Sequence, residues 1–278
     1  MREKPLLSLL LVTPALLLIV AFFVYPLGFS LHSAVTDDSG QLTLAHLNKS
    51  FELYSQDILF SLLIVLLSVA LIALLSLTIA GLITLSPYQR LVSILGLLYR
   101  MPLFIPFIVA AQMMRTFLAK NGLMNNSFVA SGLLEPLDTV SFLGWSGIVF
   151  TFVWKQLAFA TLLVSGAMAA LDRSQIQAAR NLGAGRPRIL LEIIIPQILP
   201  SLGVALILST VAIMSVLSVP LMIGTGTPTM LTADMAFRIN SYGDYGVANA
   251  LGLISYSITA VLAWFYLRQG LANGGKPA

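Results

Sequence analysis

Apolar runs long enough to cross a bilayer recur along the whole sequence and constrain its fold more than any other feature. A transmembrane helix needs about 20 mainly apolar residues. Such runs occur, in chain order, at about residues 6–31, 58–85, 102–118, 145–170, 199–223 and 247–267. The third run is short, and Pro102 and Pro106 near its start predict a bent or broken helix end. The sequence therefore predicts an all-α membrane protein with six transmembrane helices.

The composition agrees with this class. Hydrophobic residues make up 58% of the 278 residues, charged residues make up 9%, and the mean hydropathy is +0.94. Soluble domains average roughly 25% charged residues. The spans leave no room for a sizeable soluble domain, so residues 1–278 are interpreted as one transmembrane domain. The first run is longer than the roughly 7–15 apolar residues of a signal peptide, which favours a retained helix.

Several kinds of chemistry lack the residues that they need. Cysteine is absent, which excludes disulfides and thiolate sites, and the only histidines are His32 and His46 in one polar segment. No GxGxxG, Walker lysine, HExxH or GxSxG motif occurs. We therefore expect no metal site, no bound cofactor and no ATP hydrolysis by this chain. If transport is driven by a nucleotide, another subunit must bind it.

The distribution of charge predicts the orientation in the membrane. With both termini and the loops around Arg90 and Arg180 on one side, that side carries Arg2, Lys4, Arg90, Arg100, Arg173, Arg180, Arg186, Arg188, Arg268 and Lys276. Its acids are Glu3, Asp172 and Glu192, while the other side holds most of the acidic residues. The positive-inside rule places the basic side in the cytoplasm. Topology thus accounts for the net charge of +4, and no nucleic-acid partner is predicted.

Residues 172–200 form a densely basic polar interruption between the fourth and fifth runs. Ser174 can cap a short helix, and Gly183 can supply the left-handed residue that ends it. Pro187 suits the first turn of a second helix, which Pro196 would kink or end. The pattern predicts two short helices joined by a tight corner, which is a stiff connection.

A motif within this segment carries a resemblance to a known family. Gln177-Ala178-Ala179 is followed after three residues by Gly183, and after nine more by Ile193-x-Ile195-Pro196. The pattern resembles the cytoplasmic EAA loop of binding-protein-dependent ABC importer permeases, and the length, helix count and loop order of the chain are similar too. The alternative is a chance spacing in an ordinary charged loop. Gln177 departs from the family's usual glutamate, which puts one ionic contact in doubt.

The resemblance implies a type I ABC importer permease fold with a cytoplasmic two-helix coupling loop, residues 172–198, between helices 4 and 5. In the family this loop docks into a cleft on the ATPase subunit. The positions that match the motif, and would make that contact, are Gln177, Ala178, Ala179, Arg180, Gly183, Ile193 and Pro196.

The resemblance also implies a function and partners. The chain would be a non-catalytic, multi-pass subunit of the bacterial inner membrane, with both termini in the cytoplasm. Its partners would be an ATPase dimer that binds Mg-ATP, an identical or homologous second permease, and a periplasmic or lipid-anchored solute-binding protein. A diffuse similarity of the VPLMIGTGTP and SYGDYGVANA segments to permeases of the polyamine, ferric-iron and phosphonate branch suggests a solute of that kind.

Two other function classes stay open at this point. A self-contained secondary transporter or channel would need internal repeats or several buried ionisable groups. A membrane-embedded enzyme would need clustered His, Asp, Glu or Cys residues. Uptake measured with and without a separate ATPase would distinguish these classes.

A few polar residues inside the spans are candidates for the translocation path. Lys155 lies well inside the fourth run, and a charge at that depth is a functional-site hypothesis. The alternative is that Lys155 snorkels or pairs with a helix carbonyl. In the fifth run the candidates are Ser209, Met214 and Ser218, since the corresponding helices of the family line the path. Their alternative role is helix packing.

Overall fold

The computed structural model describes residues 5–37 and 39–274. These residues are mostly helical and contain no β-strand, so the all-α prediction is confirmed. The charged residues Arg2, Glu3, Lys4, Asp38 and Lys276 lie outside the described residues.

The helices are numbered here in chain order. They are α1 (Pro5–Ile19), α2 (Tyr25–Ala34), α3 (Ala45–Leu85), α4 (Gln89–Leu98), α5 (Phe107–Leu118), α6 (Leu123–Ala130), α7 (Trp145–Ala169), α8 (Arg173–Asn181), α9 (Arg186–Ile189), α10 (Ile195–Ser215), α11 (Ser218–Ile223), α12 (Leu231–Phe237) and α13 (Tyr245–Gly274). A 3₁₀ turn lies at Met101–Phe104, and wider π-helical turns lie at Val20–Val24, Leu190–Ile194 and Arg238–Tyr242.

Five helical segments of the described residues are long and apolar enough to cross a membrane. They are Val12–Ala34, Ala45–Leu85, Trp145–Ala169, Arg186–Ser215 and Tyr245–Tyr266. The number rises to six if Gln89–Phe104 and Phe107–Ala130 form one span, although these two parts are bent by 109°. The break was predicted from the prolines. Pro106 disfavours helical geometry in the residue before it, and Ile105 is extended with a ψ of 120°.

The fifth span differs from its prediction at both ends. Pro196 was predicted to kink or end the second short helix; the helix does not end there but continues from Arg186 to Ser215. Pro196 has no N–H to donate to the carbonyl four residues earlier, and the wider turn at Leu190–Ile194 accommodates this gap. The far end was placed at residue 223. Val216 is instead extended, with a ψ of 122°, and separates α10 from α11.

Between the predicted fifth and sixth spans, the central part of residues 224–246 forms α12 and the π-helical turn after it. Two side chains of α3 hold the start of α12. The backbone N–H of Thr229 donates to Asp57 Oδ1 at 2.6 Å, and that of Leu231 donates to Ser61 Oγ at 2.9 Å. Asp57 and Ser61 are buried, so they satisfy N–H groups that the helix itself leaves unpaired.

The chain divides into two compact units. One contains residues 1–55 and 234–256, and the other contains residues 56–233 and 257–278. Polar side chains hold the first unit together. Ser30 Oγ donates to Asn249 Oδ1 at 2.7 Å, and Asn249 Nδ2 donates to Ser33 Oγ at 3.1 Å.

In the second unit α7 packs against α10, α5 and α11. Its buried side chains include Ile148 and Phe152, and those of α10 include Ile198 and Ile213. Lipid is as apolar as these side chains, so close van der Waals contact rather than the hydrophobic effect holds membrane helices together. Gly147 illustrates how close the contact is, because a Cβ there would lie 2.8 Å from Ile223 Cγ2.

Candidate functional site

The first helix of the segment between the fourth and fifth spans is α8, and its cap is Asp172. The Asp172 carboxylate accepts from the Ser174 backbone N–H at 2.8 Å and from the Ser174 hydroxyl at 2.6 Å. The prediction that Ser174 caps this helix is therefore wrong by two residues, although Asp ranks with Ser as a cap. The hydroxyl of Ser174, and next its N–H, lower the pKa of Asp172 by bonding the charged form.

The helix ends at Gly183 in the predicted left-handed conformation, with a φ of 82°. The Gly183 N–H donates to Arg180 O at 2.9 Å, and the Ala184 N–H donates to Ala179 O at 3.0 Å. These two bonds are the Schellman arrangement, which pairs the last carbonyls of a helix as the chain turns. The turn is therefore closed by backbone bonds and does not depend on a partner.

The second arm begins at α9, where Pro187 lies in the first turn as predicted. Two longer-range contacts brace the arms. Gln197 Nε2 donates to Gln175 Oε1 at 2.9 Å, and Arg180 Nη2 lies 3.5 Å from the carbonyl oxygen of Leu85 at the end of α3. We call residues 172–197 the corner.

The two alanines of the motif lie on different faces of α8. Ala179 and Ile176 are buried within the chain, whereas Ala178 and Gln177 are exposed. The remaining motif residues are exposed or partly exposed: Arg180, Gly183, Ile193 and Pro196. Ala178 therefore lies on the open surface of this chain, while Ala179 already packs inside it.

A cavity of about 330 Å³ lies between the ends of α3 and α7 and the inner face of α8. Its polar lining includes Thr84, Ser165, Gln177, Arg173 and Arg180. None of the described residues that line it is acidic.

The candidate path residues lie elsewhere. Lys155 is buried, and its Nζ donates to Pro102 O at 2.7 Å and to Leu103 O at 3.3 Å. Ser209 and Met214 are buried in the packing of α10, and Ser218 is partly exposed at the start of α11. The structure does not bring Lys155 into a hydrogen bond with any of these three residues. Within the described chain, Lys155 takes the carbonyl-pairing role that was its alternative.

Sequence inspection missed the brace between Gln175 and Gln197. Neither residue stands out in a polar segment, and only the folded corner brings their side chains together. The cap at Asp172 could have been found, because the residue precedes the helix and Ser174 follows it by two positions.

Residues 4–269 match the family described as "Binding-protein-dependent transport system inner membrane component". The chain belongs to this family. The sulfoquinovosyl glycerol transport system permease protein SmoG of Agrobacterium fabrum is 29% identical over 148 residues, which are 47% of this chain and 48% of that relative. The alpha-glucoside transport system permease protein AglF of Rhizobium meliloti is 24% identical over 96% of this chain and 83% of its own length. The first curated relatives match over about half of their length or less.

A solved structure extends the similarity to the whole fold. One chain of a bacterial ABC transporter involved in the import of the acidic polysaccharide alginate covers 98% of this permease and 96% of its own length, with a TM-score of 0.80 and 21% identity. The type I ABC importer permease fold is thereby confirmed. The expected similarity to the polyamine, ferric-iron and phosphonate branch is not confirmed, since these relatives are named for carbohydrate compounds.

Proposed function

We propose that this chain is the membrane-spanning subunit of an ATP-driven carbohydrate importer, and that its corner receives the motion of an ATPase subunit. One observation carries the proposal. The corner is a closed, braced pair of helix ends with an exposed face, and it stands between two membrane spans. A soft loop would absorb a displacement, whereas a corner with its backbone bonds satisfied would transmit it.

The path of the transmitted motion follows from helix continuity. The second arm of the corner runs from Arg186 to Ser215 as one helical segment. A displacement of α8 would therefore reach the fifth span through this continuous helical segment. The fourth span ends at Ala169, only a few residues before Asp172, so it would move with the corner as well.

The proposal includes three kinds of partner. Two ATPase subunits would bind Mg-ATP and dock on the exposed face of α8. A second permease, identical or homologous, would complete the translocation path, and an external binding protein would deliver the solute. The basic character of residues 172–200 supports a cytoplasmic corner through the positive-inside rule.

The solute class rests on the relatives. SmoG and AglF are named for a sulfonated sugar glycoside and for alpha-glucosides, and the alginate transporter is described as an importer of an acidic polysaccharide. We therefore propose a carbohydrate solute in place of the polyamine, iron or phosphonate solute suggested by the sequence.

The test compares two glycines that both have a positive φ. Gly183 has a φ of 82° and Gly132 a φ of 71°, and a Cβ on either would meet nothing within 4 Å. Valine in a left-handed conformation costs about 1–2 kcal/mol at either site. We expect Gly183→Val to weaken co-purification with the ATPase on the order of tenfold, and Gly132→Val to leave it unchanged. Gly183→Asn should keep binding, because Asn tolerates this conformation.

A second variant tests the docking face itself. Ala178→Asp places a carboxylate on the exposed side of α8, whereas Ala178→Ser changes little. We expect Ala178→Asp to abolish ATPase association and uptake while the chain still inserts and elutes as the wild type does.

The solute class is tested by ATP-dependent uptake into proteoliposomes, with a radiolabelled α-glucoside and, for contrast, spermidine. Uptake without the ATPase would favour the alternative of a secondary transporter or channel.

A further inference from the structure

The buried lysine of the fourth span has a specific set of partners. Lys155 is 8% exposed and lies in the packed half of α7. A buried ammonium is tolerated only where its donors are satisfied. Its Nζ donates to the carbonyl oxygens of Pro102 and Leu103, at 2.7 and 3.3 Å, and lies 5.4 Å from the centroid of the Phe107 ring.

The two carbonyls need a donor because of where the prolines lie. In a continuous α-helix the Pro102 carbonyl would accept from the N–H of residue 106, but that residue is Pro106 and has no N–H. The Leu103 carbonyl would accept from Phe107, which instead starts α5 beyond the break. Pro102 O receives one long bond, from the Ile105 N–H at 3.3 Å. Lys155 thus supplies donors that the interrupted helix lacks.

The same contacts fix the direction of the broken span. The helical parts on either side of the break are bent by 109°. Lys155 bonds the carbonyl end of the first part, and its ammonium faces the ring of the first residue of the second part. A cation at the carbonyl end of a helix also complements the negative end of the helix dipole. One side chain on α7 therefore contacts both parts of the third span.

We propose that Lys155 is a positioning residue that clamps the break in the third span to the fourth span. On the proposed function, the clamp links the corner to the third span, because α7 runs from Lys155 towards the corner. A displacement of the corner would move the break with α7, and the third span would change its position as a unit.

The chemistry of the side chain leads to a matched set of variants. Lys155→Met keeps an unbranched side chain of nearly the same length but removes every donor. Lys155→Arg keeps the charge and the donors. Thr151→Val removes a buried polar group of the same helix that bonds only within the helix, to Gly147 O at 2.6 Å. Only the methionine variant removes the side-chain donor from the carbonyls of Pro102 and Leu103.

The first measurement needs no partner subunit. The sequence contains no cysteine, so Leu97→Cys and Ile108→Cys, both at exposed positions on opposite sides of the break, can be spin-labelled as a pair in nanodiscs. Double electron–electron resonance measures the distance between the two labels. We expect one narrow distance distribution in the otherwise wild-type chain and in the Lys155→Arg and Thr151→Val backgrounds. In the Lys155→Met background, distances outside that narrow distribution should be populated at least on the order of tenfold more than in the wild type. An unchanged distribution in Lys155→Met would overturn the clamp.

The second measurement concerns coupling. In the complete transporter, Lys155→Met should raise the number of ATP molecules hydrolysed per solute imported, while the ATPase still binds, and Lys155→Arg should restore the ratio. A merely structural role would lower uptake and hydrolysis together.

The transmission step would be overturned if Lys155→Met loosened the break but left the ratio of ATP hydrolysed to solute imported unchanged. A changed KM for an anionic saccharide with an unchanged distance distribution would instead assign Lys155 to the solute path. If only the corner variants did not change ATPase association as expected, the result would count against the proposed function and not against the clamp.

Discussion

The two halves of α7 differ in what surrounds them. From Gly147 to Thr161 most side chains are buried, including Ile148, Phe152 and Lys155. Beyond that half, Leu162, Gly166 and Ala169 are exposed. The packed half of α7 therefore lies against the break in the third span, and the open half leads to the corner.

The two interruptions are closed by different means. The ends of α8 are closed by neighbours in sequence, since Asp172 caps its start and Gly183 turns its end, while longer-range contacts only brace the corner. The break at Ile105–Pro106 uses Lys155, which is 53 residues from Pro102. An exposed interruption has water to satisfy its remaining polar groups, whereas a buried one must find donors within the protein. We therefore expect substitutions in the packed half to have the larger effects.

The largest effect is expected from a methyl group added to the packed half. A Cβ on Gly147 would lie 2.5 Å from the carbonyl oxygen of Phe142 and 2.8 Å from Ile223 Cγ2, whereas a Cβ on Gly166 would meet nothing within 4 Å. Gly147→Ala should therefore lower the free energy of unfolding by about 1–3 kcal/mol. Gly166→Ala should raise it by up to about 1 kcal/mol, because alanine favours helix.

Denaturation in mixed detergent micelles, followed by circular dichroism, measures both glycine variants on the isolated chain. Equal effects at the two positions would show that the halves of α7 do not differ in packing as described.

The next effect concerns buried hydroxyls in the same half of the helix. Thr161 Oγ1 is buried and has no hydrogen-bond partner in the described chain, whereas Thr151 Oγ1 donates to Gly147 O at 2.6 Å. Valine has nearly the same shape as threonine but no hydroxyl. Thr161→Val should leave stability unchanged or raise it by up to about 1 kcal/mol, and Thr151→Val should lower it by about 0.5–1.5 kcal/mol. The same unfolding assay measures the stability of both threonine variants. A loss at Thr161 as large as that at Thr151 would indicate a partner for its hydroxyl.

Some interruptions of the helices are closed by residues near in sequence and others by distant residues, and this difference explains what the sequence could predict. Five spans follow from apolar runs, and the corner follows from Gly183 and Pro187, because these residues determine the backbone where they stand. The prolines at 102 and 106 predicted the break, but not its 109° angle or its partner. Those depend on Lys155, whose carbonyl-pairing role was one of two alternatives for a charge inside a span. The buried positions of Ser209 and Met214 depend on helix packing, which a single span does not reveal.

The smallest effect is expected at the open end, from the cap of α8. The pKa of Asp172 is lowered by the hydrogen bonds from Ser174, so the folded state favours the carboxylate. A lowered pKa stabilises the folded state above the unfolded pKa of about 3.9, and this contribution is lost as the pH falls through the folded value. Below about pH 4 we therefore expect faster hydrogen exchange at the Ser174 amide in the wild type. The carboxamide of Asp172→Asn does not titrate but still caps, so the variant should show no such additional change. Measuring both proteins at each pH cancels the intrinsic pH dependence of exchange. If both show the same profile, the titration of Asp172 does not stabilise this end of the helix.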